Sequence, residues 1–187
     1  MIQTDIDAST NFAALDDAEI ERVNAAVIAA VQSGASLKDL QGVSQELMDG
    51  IYAFAYQFYQ HERLDDAETF FRFLCIYDFY NAEYALGLAS VFQLKKNYAR
   101  AIDLYALAFA LSKEDYRPIF HTGQCHLMAG KGGLARHCFS VVVERSSDER
   151  LKERAASYLC GLDEVGVGAP QEVPTTATHD CRKGETS

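Results

Sequence analysis

Apolar side chains return along this chain at three- and four-residue steps, the period of one face of an α-helix, and short turn-rich stretches separate the runs. The first run is Ile20, Val23, Val27, Ala30 and Val31, with Glu19, Glu21 and Arg22 off the stripe and Gly34 placed to end the helix. A lone amphipathic helix of this kind has to bury its stripe, either as a cap on the elements that follow or against a second copy of the chain. Leu37 and Leu40 in the connector predict a short helical turn, and Ser44 is then set as N-cap of the next helix with Glu46 in its first turn. Residues 1–15, which mix Asp, Ser, Thr and Asn, carry no such stripe and are expected to be disordered.

Beyond Ser44 the pattern itself repeats. Ala67, Ala101 and Ala135 stand 34 residues apart, and each is followed four residues later by an aromatic: Phe71, Tyr105 and Phe139. A helix-turn-helix unit of this period is the tetratricopeptide repeat. The expected fold class is therefore all-α: tandem tetratricopeptide repeats over 48–81, 82–115 and 116–149, an N-terminal helix, a C-terminal capping helix and a concave peptide-binding groove. With the alanines at repeat position 20, position 8 holds Ala55, Ala89 and Gly123, all small, and position 27 holds Leu74, Ala108 and Val142. Position 11 reads Phe58, Phe92 and His126, so the third copy diverges most; Pro118 suits the start of its first helix. Ser146 with Glu149 offers a capping box, and Leu151, Ala155, Tyr158, Leu159 and Leu162 give a capping helix over about 147–162. These elements make one helical domain over 16–162, and the Gly, Pro and Thr of 163–187 predict a flexible tail.

Charge narrows the partners. With 27 acidic against 17 basic residues the net charge is −10, which opposes phosphate backbones and anionic bilayers and argues against direct nucleic-acid binding or membrane insertion. The acidic stretch from Met1 to Asp7 lacks the basic start and apolar core of a signal peptide, and no run is long and apolar enough to span a bilayer, so a cytoplasmic protein is expected. Cys75, Cys125, Cys138, Cys160 and Cys181 are odd in number and show no close pairing, the pattern of free thiols in a reducing compartment.

The repeat register also selects a candidate site. Positions 2, 5, 9 and 12 of each unit's first helix line the concave face of such an array. They are Asp49, Tyr52, Tyr56 and Tyr59 in the first copy, Glu83, Leu86, Ser90 and Gln93 in the second, and Arg117, Phe120, Gln124 and Leu127 in the third. Three tyrosines on one stripe give stiff contact area with hydroxyls for a peptide backbone, the chemistry of an extended-peptide groove; the alternative is that they pack on a neighbouring element. Tetratricopeptide modules that clamp the carboxylate tail of heat-shock chaperones carry Lys and Asn at positions 5 and 9 of the first repeat. Here those positions are Tyr52 and Tyr56, so a clamp of that kind is not expected.

Candidate chemistry is sparse. His121 and Cys125 lie one helical turn apart, with His126 adjacent and His137 and Cys138 in the paired helix, but an i, i+4 pair supplies only two ligands and no metal is expected. Gly130-Lys131-Gly132-Gly133 lacks the spacing of a phosphate loop, and neither a Ser/His/Asp order nor an HExxH stands out. A catalytic residue or a cofactor is accordingly not expected, and the chain is read as a non-enzyme.

Three stretches carry a closer resemblance: residues 33–40, residues 48–56, and Leu64 to Asn81, the last reading LDDAETFFRFLCIYDFYN. They resemble the class II chaperones of bacterial type III secretion, the small acidic tetratricopeptide chaperones of translocator proteins. The run Phe70 to Asn81, with Gln93-Leu94-Lys95-Lys96 and Asp115-Tyr116-Arg117-Pro118, is most similar to the invasion branch, the SicA and IpgC type. The resemblance covers about residues 20–162. It implies a cytosolic, ATP-independent chaperone, often a homodimer, that holds hydrophobic translocators before secretion by binding an extended segment near their N-terminus. It also implies that Tyr52, Tyr56 and Tyr59 line the groove. Some members of the invasion branch act with an AraC-type transcription activator, so a regulatory adaptor is the alternative reading.

Overall fold

Stripes of helical period fold into helices wherever the computed structural model describes the chain, which is residues 35–164 with Ala25, Ala29 and Gly166. All but Ala25 and Ala29 of the expected helix over 16–34, the expected disorder of 1–15 and nearly all of the expected tail lie outside the described residues. Among the described residues the elements are α1 (Leu37–Gln41), α2 (Gln45–Gln60), α3 (Leu64–Tyr77), α4 (Ala82–Leu94), α5 (Tyr98–Ser112), α6 (Arg117–Met128), α7 (Gly132–Arg145) and α8 (Glu149–Glu164), with no strand. They form two compact units, α1–α5 up to Glu114 and α6–α8 from Asp115 onward.

In the first unit α2 pairs with α3, α3 with α4, and α4 with α5. The repeat positions that the alanines define become its core: Ala55, Ala67, Leu74, Ala89, Ala101 and Tyr105 are fully buried, and Phe71 and Ala108 nearly so. Each large side chain taken out of water contributes about 1.5–3 kcal/mol, and the small residues at position 8 let paired helices approach. Gly87 marks the closest approach, since a Cβ there would lie 2.2 Å from the Phe71 ring. At the start of this unit, α1 is closed by a capping box between Ser36 and Asp39 and ends at Gly42 in the left-handed region. Lys38 of α1 reaches Asp78 beyond the end of α3 at 3.0 Å, and the hydrogen bond to that carboxylate raises the pKa of the ammonium.

In the second unit α7 packs against both α6 and α8. Phe120, Ala135, Phe139, Val142, Leu151, Ala155 and Leu162 make its core, with Tyr158 and Leu159 packed against them. Gly123 lets α6 close on α7, because a Cβ there would lie 2.8 Å from Phe139. The stripe expected of a capping helix is therefore the buried face of α8. Its start differs from the expectation: the cap is Asp148, whose carboxylate accepts from the amides of Arg150 and Leu151, while the Ser146 hydroxyl accepts from Asp148 N–H. Asp148 sits one residue before the helix, whereas Ser146 ends α7 in extended backbone and lies too early to cap α8.

One turn closes all three helix pairs. The amides of Arg63, Asn97 and Lys131 donate to the carbonyls of Phe58, Phe92 and His126 at 3.0, 2.9 and 2.8 Å, and the amides of Glu62, Lys96 and Gly130 donate to Tyr59, Gln93 and Leu127. This is the paired-bond motif that ends a helix on a left-handed residue. Glu62, Lys96 and Gly130, all at repeat position 15, have φ of 58°, 59° and 72°.

Candidate peptide-binding site

The tyrosine stripe of α2 arises because Tyr52, Tyr56 and Tyr59 fall at i, i+4 and i+7 beside the buried line of Met48 and Ala55. The three rings are not equivalent. Tyr52 is half-buried, edge-on to Phe71 of α3 at 5.9 Å and tilted against Tyr84 of α4 at 5.8 Å, so it joins the site to the core. Tyr56 is 47% exposed and stacks on Tyr59 at 6.1 Å, forming an aromatic ledge at the surface. Burial raises the pKa of the Tyr59 phenol, with the neighbouring Tyr56 adding to it, so the Tyr59 hydroxyl stays a protonated donor at neutral pH.

The second helix of the site, α4, lies against α2 and half-buries Leu86, Ser90 and Gln93. Their polar atoms are fixed from below by Tyr105 of α5. Its hydroxyl donates to Gln93 Oε1 at 2.6 Å and lies 3.2 Å from Ser90 Oγ, which in turn donates to the Leu86 carbonyl at 2.9 Å. A core aromatic thus orients the polar groups of the site, which is why Tyr stands at repeat position 24 of the second copy where the first and third have Phe. The face offered by α2 and α4 is aromatic and aliphatic with a few oriented amide and hydroxyl groups, and it suits an extended backbone with apolar side chains.

The third copy corrects the expectation. Phe120 is fully buried, edge-on to Tyr158 of α8 at 5.6 Å, tilted against Phe139 at 5.6 Å and covered by the Arg154 guanidinium at 4.5 Å. It is a core residue and lines no surface, because α8 lies across the face that a following repeat would cover. Leu127 is partly buried against the same cluster. The Gln124 amide donates to the Tyr158 hydroxyl at 2.9 Å, and its carbonyl oxygen lies 2.9 Å from His121 Nδ1. Carrying the 34-residue register into α8 puts Arg154 and Tyr158, the two side chains laid on Phe120, at positions 5 and 9, the signal in the sequence that would have placed them at this end.

Burial pushes the Cys75 and Cys125 thiols up to about 11, which keeps them protonated and unreactive. Burial also holds the His121 imidazole below its ordinary range, opposed by the hydrogen bond to Gln124. Among the described residues no cluster of three or more His, Cys, Asp or Glu side chains could hold a metal, and no helix is long and apolar enough to cross a membrane.

The tetratricopeptide repeat profile matches residues 48–81 and 83–115. The chaperone protein SicA of Salmonella typhimurium is 58% identical over 142 residues, 76% of this chain and 86% of that protein. This chain belongs to the class II tetratricopeptide chaperones of type III secretion. The translocator chaperone SycD of Yersinia enterocolitica has the same fold, with a TM-score of 0.65 at 25% identity over 68% of this chain and 98% of that one; it has also been solved as an alternative dimer. PcrH, a protein of Pseudomonas aeruginosa, was solved in complex with the chaperone-binding region of PopD and matches with a TM-score of 0.61 at 29% identity, over 67% of this chain and 97% of that one. The family's repeats coincide with the helix pairs α2–α3 and α4–α5, so the tyrosine ledge and the Tyr105-ordered groups stand on the repeats that the family profile covers.

Proposed function

We propose that this class II chaperone holds translocator proteins of a type III secretion system in the bacterial cytoplasm, binding an extended segment near their N-terminus on the face formed by Tyr52, Tyr56, Tyr59, Leu86, Ser90 and Gln93. The observation that carries the reading is the exposed Tyr56–Tyr59 stack beside polar groups held in place by Tyr105. A protein destined for a host membrane carries apolar segments that aggregate or insert into the producing cell's own bilayer. Masking an anchor segment prevents both. Burying one or two large apolar side chains contributes about 1.5–3 kcal/mol each before ordering costs are subtracted, strong enough to hold a guest and weak enough to release it without ATP. The net charge of −10 keeps the complex soluble. No observation favours the regulatory adaptor over this reading, nor any catalytic role.

Co-expression with a translocator encoded in the same secretion system tests it. The translocator is expected in the soluble fraction with the wild-type chain, and insoluble with the Tyr52→Ala/Tyr56→Ala variant or with no chaperone. A partner equally soluble in all three cases sinks the reading.

A further inference from the structure

A group of polar side chains lies in the first unit where α1, the starts of α2 and α4 and the end of α3 meet. Tyr84 of α4 is only 3% exposed, and its ring tilts against Tyr52 of the tyrosine stripe at 5.8 Å. Its hydroxyl is buried without a hydrogen-bond partner among the described residues, an unfavourable state for a polar group out of water. The Gln45 side chain faces that hydroxyl but is engaged at both ends. Its amide donates to Asp49 Oδ1 at 2.7 Å, and its carbonyl oxygen accepts from Lys38 Nζ at 3.0 Å. Lys38 is in turn paired with Asp78 at 3.0 Å. Burial raises the pKa of the Tyr84 phenol, the Gln45 amide opposes this, and the charges of Asp49 and Asp78 raise it further against that of Lys38, so all four groups face the phenol.

The charges at this corner do not cancel. Lys38 neutralises Asp78, and Glu46 and Glu83 stand in the first turns of α2 and α4, where they offset the positive ends of those helices. Asp49 keeps no cationic partner among the described residues. It shares a stripe of α2 with Tyr52, Tyr56 and Tyr59, at repeat positions 2, 5, 9 and 12, so a guest lying on the tyrosines reaches it without leaving the first unit. We propose that Asp49 and the Tyr84 hydroxyl form a subsite for a basic side chain of the guest peptide, a lysine or arginine beside its apolar anchors. The Gln45 amide holds the place of that cation. Gln45 is exposed at the start of α2, and when it swings out an ammonium donates to the Asp49 carboxylate and the Tyr84 oxygen together. The subsite rests on the peptide-binding reading above and gives the guest a charge opposite to the chain's −10.

The test uses the full chain and two synthetic extended peptides with identical apolar anchors, one with flanking lysines and its twin with glutamines, titrated calorimetrically at low and at physiological salt. The lysine peptide should bind about fivefold tighter than its twin to the wild type, with the margin shrinking as salt rises. Asp49→Asn should bring the two peptides level. Asp103→Asn, the same loss of charge at an exposed position of α5, should keep the margin, which separates a local subsite from the general pull of an acidic chain. Tyr84→Phe should cut the margin to about twofold without lowering the melting temperature, since the hydroxyl bonds nothing in the free chain. Equal binding of the twins to the wild type, a margin that survives Asp49→Asn, or one that Asp103→Asn removes as well, overturns the subsite and leaves the tyrosine face intact. A full margin or a lower melting temperature in Tyr84→Phe overturns the part given to the hydroxyl. Failure of both peptides to bind overturns the peptide-binding reading and the subsite with it.

Discussion

At the scale of single residues, repeat position 15 shows what a pattern of apolar residues does not reveal. The helix turn needs a left-handed residue there, and the chain supplies Gly130 in the third copy but Glu62 and Lys96 in the others. A side chain with a Cβ strains in that region, while glycine does not. Glu62→Gly and Lys96→Gly are each expected to raise stability by about 0.5–1 kcal/mol, and Gly130→Ala to lower it by about 1 kcal/mol; urea unfolding followed by circular dichroism measures both signs. The cap of α8 is a similar case. Ser146 and Glu149 have the spacing of a capping box, yet Asp148 caps the helix, because the helix start is set by where α7 ends and not by the motif alone. Ser44, whose hydroxyl accepts from the Leu47 amide at 3.2 Å, was legible because nothing upstream competes for it.

At the scale of elements, the alanine period was enough to pair the helices, since positions 8, 20, 24 and 27 are buried in every copy. Gly87 was not legible as a contact. It holds no repeat position that the register singled out, and only the structure places the Phe71 ring where its Cβ would be. Gly87→Ala must push that ring or part α3 from α4, with an expected loss of about 1–3 kcal/mol and a lower melting temperature. An unchanged melting temperature would mean that the two helices do not approach as closely as described. The site divides in the same way. The candidate residues on α2 and α4 come from helices that lie side by side, as first helices of neighbouring repeats do, with the Tyr52 ring against Tyr84. Phe120 was misassigned because the register assumes another repeat beyond the third. A single helix, α8, lies there instead and covers it with Tyr158 and Arg154.

At the scale of the whole molecule, family membership and charge act together in the proposed function: an acidic chaperone meets its guest on the aromatic face of α2, one of several places where apolar side chains are exposed, Ile76, Leu107 and Met128 among the others. The most direct test of that claim is where the guest touches the chaperone. A photo-crosslinking p-benzoylphenylalanine in place of Tyr56, on α2, is compared with one in place of Leu107, an exposed residue of α5, in cells co-expressing a translocator. Crosslinks to the translocator's N-terminal region from position 56 and not from position 107 are the predicted result. Crosslinks from position 107 alone would contradict the account.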